Sequence, residues 1–112
     1  MHTNLHKHAE PESLTLRRQA GRWLKSKREE RGLSQRQLAD RLGLDYYTFI
    51  SQLETGRGRI PPERYVDWAH ALGMEPRQLV RTLMRYYDPI TFELLFPEDA
   101  ERSAEDLHEH KG

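Results

Sequence analysis

Apolar positions along this chain recur every three or four residues, and the pattern breaks only at scattered glycines and prolines. That period predicts helices and no strands. The first helix is expected over residues 13–31, with Ser13 as its cap. Leu16, Ala20, Trp23, Leu24 and Lys27 share helical spacing there, so Trp23 and Leu24 are expected to anchor the core, and Gly32 stops the helix. A second helix is expected over 34–42, capped by the Ser34 hydroxyl, with Leu38, Ala39 and Leu42 on one face. Gly43 breaks it, as a residue free to take positive φ does. A third is expected over 46–55, with Asp45 as its cap. The fourth opens at Pro61-Pro62-Glu63, carries Tyr65, Trp68, Ala69 and Leu72, and ends at Gly73. The fifth opens at Glu75-Pro76 and carries Leu79, Val80, Leu83, Met84 and Tyr87 before Asp88-Pro89 interrupts it. The apolar run from Ile90 to Phe96 is too short for its period to separate a helical turn or two from an extended segment.

These patterns divide the chain into a polar, disordered lead (1–12), an all-α domain (13–88), an apolar extension (89–97) and an acidic tail (98–112). A chain of 112 residues suits one small domain. With 32% charged residues and 36% hydrophobic ones, part of it is expected to be tail. Absence of cysteine excludes a disulfide framework and a thiolate zinc site. No apolar run approaches the roughly 20 residues that span a bilayer, and the first residues lack the apolar stretch of a secretion signal. A cytoplasmic protein without a membrane partner is the expectation.

Net charge is zero, yet its distribution is uneven. Residues 14–60 carry eleven Lys/Arg against five Asp/Glu, whereas residues 98–112 carry two against six. A basic body with an acidic tail is compatible with a polyanionic partner, since the local field governs contact.

Two short helices joined by a glycine turn form the unit that lays a helix into the DNA major groove. On a 3.6-residue wheel, Tyr46, Phe49, Ile50 and Leu53 face one side of the third helix and are expected to pack on the body. Tyr47, Thr48, Ser51, Gln52 and Thr55 face the other. That second face is polar and free of acids, as reading of base edges requires: amides pair with adenine, and hydroxyls and methyls meet assorted edges. An ordinary solvated helix face has the same look. Gln35 opens the second helix, where amides commonly grip phosphate. Arg57 and Arg59, separated by Gly58, follow the third helix and suit backbone phosphates or a minor groove; Arg36, Lys25 and Lys27 are further cations.

The series Lys25-Ser26-Lys27-Arg28, Gly32-Leu33-Ser34-Gln35, Leu38-Ala39, Leu42-Gly43, Ile50, Leu53-Glu54, Gly56-Arg57, Ala69 and Leu72-Gly73 resembles the phage repressor/Cro helix-turn-helix family, also called the XRE family. The likeness covers roughly residues 20–83. It implies a compact bundle of five helices with the third in the major groove. It implies that Tyr47, Thr48, Ser51 and Gln52 face bases, that Gln35 contacts phosphate and braces the recognition helix, and that Thr55, Arg57 and Arg59 meet the backbone or the adjacent groove. It further implies a structural ion pair between Arg28 and Glu54. Such a pair also makes sense unaided, because a carboxylate beside DNA needs a neighbouring cation and arginine neutralises it bidentately. One departure stands out: Gly43 and Glu54 lie one residue farther apart than the family pattern. Either the turn is longer or the third helix starts early, and Tyr46 and Tyr47 are the residues affected.

His2, His6, His8, His108 and His110 fall in the lead and the tail, where no fold holds ligands at fixed geometry, and His70 is expected at the edge of the core; no metal, cofactor or catalytic set is expected. The apolar residues of the C-terminal part exceed what one helix face needs. Leu83, Tyr87, Ile90, Phe92, Leu95 and Phe96 are the expected surface for a homodimer, which would relate two recognition helices by a two-fold axis over a palindromic operator. The expected function is sequence-specific binding of double-stranded DNA by a homodimeric transcriptional regulator, a repressor acting on the nucleoid. The alternative is a protein-interaction module, an antitoxin or a bridging adaptor, that takes a protein partner through the same C-terminal segment.

Overall fold

The computed structural model describes residues 12–99. The expected lead, the acidic tail and their five histidines lie outside the described residues, apart from Glu12, Glu98 and Asp99 at the edges. The chain forms α1 (Glu12–Glu30), α2 (Gln35–Arg41), α3 (Thr48–Glu54), a 3-10 turn (Pro62–Arg64), α4 (Tyr65–Leu72), α5 (Pro76–Tyr87) and α6 (Pro89–Leu95), with no strand among the described residues. The five expected helices are all present, and the apolar extension, left open between helix and extended chain, is a sixth. Asp88 makes that possible: its carboxylate accepts from the Thr91 N–H at 3.2 Å, and Pro89 follows at the position where a missing N–H costs nothing.

Local signals account for most boundaries. Ser34 accepts from the Gln37 N–H at 3.0 Å while Gln37 Oε1 accepts from the Ser34 N–H at 2.8 Å, a reciprocal box that starts α2. The α2 carbonyls at the other end are closed by Leu42, Gly43 at φ +71, and the Arg64 guanidinium, which donates to the Leu42 carbonyl at 2.6 Å. The extra residue of the turn is accommodated by length: α3 starts only at Thr48, with Tyr47 at the cap position. Asp45 therefore does not cap α3, whose start has no side-chain cap. Tyr46, expected on the packing face, stands 76% exposed, because the longer turn carries it clear of the body.

Leu24, Leu38, Ile50, Leu53, Ile60, Trp68, Leu79 and Leu83 are fully buried and draw on every helix from α1 to α5. At roughly 1.5–3 kcal/mol for each large side chain removed from water, this cluster is the main source of stability. α1 packs against α3 and α5, and α6 folds back on α5. Leu24 is a core anchor as expected; Trp23 is only half-buried, on the core's rim, with the Lys27 ammonium 5.9 Å from its ring centre.

The C-terminal expectation needs correcting. Leu83 and Phe92 lie inside this fold and offer no surface to a second copy. Tyr87 is half-buried against the loop that follows α3, its hydroxyl accepting from the Ile60 N–H at 3.1 Å. Phe96 is half-buried with the Arg81 guanidinium 4.4 Å from its ring centre. The residues left outward are Ile90, Leu94 and Leu95, at 72%, 78% and 60% exposure.

α1 and α3 meet at Gly21. A Cβ there would lie 2.5 Å from the carbonyl oxygens of both Leu53 and Glu54, and backbone cannot swing aside. Gly21→Ala is expected to lose about 1–3 kcal/mol by urea denaturation; an unchanged midpoint would show that the two helices do not approach this closely.

Candidate nucleic-acid interface

The end of α1, the start of α2 and the end of α3 converge on one carboxylate. Glu54 is buried, and Arg28, also buried, donates to it twice, Nε to Oε2 at 2.7 Å and Nη2 to Oε1 at 3.0 Å. The remaining guanidinium arm donates from Nη1 to the Leu33 carbonyl at 2.7 Å. Gln35 Nε2 adds a further bond to Glu54 Oε1 at 3.0 Å. The Glu54 hydrogen bonds raise the Arg28 guanidinium above its ordinary pKa against the opposing cost of burial. A buried pair of this kind stabilises only when its remaining polar atoms are satisfied, and here no buried side-chain polar atom is left without a partner among the described residues.

The network fixes which side of α3 faces out. Ile50, Leu53 and Glu54 point inward, so Thr48 and Gln52 are exposed and Ser51 is half-buried. Among the described residues no hydrogen bond engages the side chains of Thr48, Ser51 or Gln52, so their amide and hydroxyl groups are available to a ligand. Thr55 is exposed too, but its hydroxyl donates back to the Ser51 and Gln52 carbonyls at 3.0 and 3.1 Å. In this geometry the hydroxyl hydrogen is turned back to the helix.

Gln35 is half-buried as a brace, with a second amide hydrogen still to give. Arg36 is exposed next to it, its guanidinium 5.6 Å from the centre of the Tyr47 ring. Tyr47, 42% exposed, thus stands beside the polar face of α3 with a cation against its ring. Arg57 is exposed on the turn after α3, and Arg59 is exposed with its guanidinium 4.5 Å from the centre of the Tyr87 ring. The structure thus sets Gln35 against Glu54 and Arg36 against Tyr47, leaves Thr48 and Gln52 exposed and Ser51 half-buried on α3, and leaves Arg57 and Arg59 exposed on the turn that follows. Two contacts were not foreseen from the sequence. Arg18 packs beneath the turn at Gly56, where an added Cβ would lie 2.7 Å from its Cγ. Tyr87 supports Arg59, although its apolar spacing pointed elsewhere.

A helix-turn-helix family model matches residues 24–79, half of the chain. The crystal structure of the restriction-modification controller protein C.AhdI from Aeromonas hydrophila is similar at 34% identity and a TM-score of 0.51, covering 58% of this chain and 96% of that one. No curated protein matches the chain. Fold and surface define a DNA-binding, transcription-regulating class of protein. The chain belongs to the helix-turn-helix family of the phage repressor/Cro, or XRE, type. The α2–turn–α3 unit and the Arg28–Glu54 pair lie inside the matched segment; α6 lies beyond it.

Glu54→Gln leaves the Arg28 charge buried with half its partner gone. It is expected to cost about 3 kcal/mol in chemical denaturation, as removal of one member of a buried pair does. A loss below about 1 kcal/mol would class the pair with surface salt bridges.

Proposed function

We propose that the chain binds double-stranded DNA in a sequence-specific manner as a homodimer and represses transcription by occluding a promoter. The observation that carries this reading is the outward face of α3, polar, free of acids and held by the buried Arg28–Glu54 pair. On this reading, Thr48, Ser51 and Gln52 read base edges, with Tyr47 beside them. Gln35, Arg36, Arg57 and Arg59 hold the phosphates and so fix the register. The likeness to a restriction-modification controller protein supports a regulator. A duplex-binding regulator of this kind works in the cytoplasm, on the nucleoid.

Dimerisation falls to what the fold leaves outward on α6. Ile90 and Leu95 remain from the expected set, joined by Leu94 one helical turn after Ile90. Covering these aliphatic groups with a second copy removes them from water and relates two α3 helices by a two-fold axis. The operator is then palindromic, with half-sites about 34–36 Å apart along the duplex.

Titration of matched and scrambled duplexes at two salt concentrations separates the roles. Gln52→Ala is expected to cost roughly 1–3 kcal/mol on the matched site alone, whereas Arg57→Ala weakens both duplexes alike and flattens the salt dependence by about one phosphate. Equal loss on both duplexes for Gln52→Ala would remove Gln52 from base reading. For the assembly, Ile90→Glu with Leu94→Glu is expected to give a folded monomer in sedimentation, with unchanged helicity; a dimer that survives both charges would place the interface elsewhere.

A further inference from the structure

The loop between α3 and the 3-10 turn runs from Thr55 to Pro61 and contains Gly56 and Gly58; backbone bonds from the Gly56 and Arg57 N–H groups to the Leu53 and Gln52 carbonyls tie its start to α3, whereas the stretch after Arg57 relies on other contacts. Yet it carries Arg59, a long side chain whose freedom is lost on gripping a phosphate. At Arg59 and Ile60 two contacts restrain it, and both come from one residue. The Tyr87 ring lies under the Arg59 guanidinium at 4.5 Å, and the Tyr87 hydroxyl accepts from the N–H of Ile60, the next residue, at 3.1 Å. Ile60 is itself fully buried, which pins the loop at that point. Burial also pushes the Tyr87 phenol above its ordinary pKa.

Resting on the DNA-binding reading above, we propose that Tyr87 is a positioning residue for DNA binding: it holds the Arg59 guanidinium, without touching DNA itself, in the place where a backbone phosphate receives it. Stacking on an aromatic face leaves the edge of the guanidinium, with its N–H donors, open to a phosphate. Tyr87 is also the last residue of α5, separated from the start of α6 at Pro89 by Asp88 alone. The residue that sets Arg59 therefore sits at the junction with the proposed dimerisation helix.

The test uses the full chain with Tyr87→Leu, Tyr87→Phe, Arg59→Ala and the double variant Arg59→Ala/Tyr87→Leu. Each is titrated against matched and scrambled duplexes at two salt concentrations, well below its unfolding temperature. Tyr87→Leu is expected to weaken both duplexes by roughly three- to tenfold. Tyr87→Phe, which keeps the ring, is expected to retain most of the affinity. In the Arg59→Ala background, Tyr87→Leu should have no further effect. Without DNA, the side-chain protons of Arg59 should show a ring-current shift in proton NMR that survives Tyr87→Phe and vanishes in Tyr87→Leu. A Tyr87→Leu loss that multiplies with Arg59→Ala, or an Arg59 lacking the ring-current shift, overturns the assignment while duplex binding stands. A wild-type chain that shows the shift but binds no duplex overturns the DNA reading, and the assignment with it.

Discussion

A single buried carboxylate organises the helix-turn-helix half of this molecule. Glu54 is surrounded by the Arg28 guanidinium and the Gln35 amide, so three chain segments are held to one point by charge-assisted hydrogen bonds. Apolar packing of Ile50 and Leu53 holds α3 against the body, but such contacts are non-directional. The ion pair adds direction. With Glu54 turned inward, the opposite face of α3 carries only hydroxyls and an amide, and no acid repels a polyanion there. Gly21 complements this arrangement, because only a residue without a side chain lets α1 come close enough for Arg28 to reach.

Much of this was legible in the sequence, for reasons that differ by residue. The helices followed from local period and caps: Ser34, Pro76 and Gly73 each act within one turn of chain, so their effect is read without knowing the fold. The Arg28–Glu54 pair spans 26 residues, and no local pattern contains it. It was foreseen through the family resemblance and through the need to neutralise a carboxylate beside DNA. Asp45 misled because its cap would have required α3 to start at Tyr46. The inserted residue lengthened the turn instead, and Tyr46 went to solvent.

The C-terminal part was least legible, since apolar character does not say what covers it. Leu83 and Phe92 are covered by their own chain, while Ile90 and Leu94 are not. Phe92 and Ile90 are two residues apart, on different sides of one short helix, and only the docking of α6 on α5 decides which side is inside. Tyr87 shows the same limit. Its ring suited an interface, but the buried Ile60 brought a backbone N–H to its hydroxyl, a meeting that depends on a loop 27 residues earlier in the chain.

What the whole account turns on is whether the outward side of α3 selects among DNA sequences. Repeated capture of bound molecules from a random duplex pool by the full chain, at low ionic strength, measures this directly. The account predicts enrichment of a two-fold symmetric sequence whose half-sites are about one helical turn apart. A pool that stays random after successive rounds, or a chain that retains no duplex at all, would contradict it.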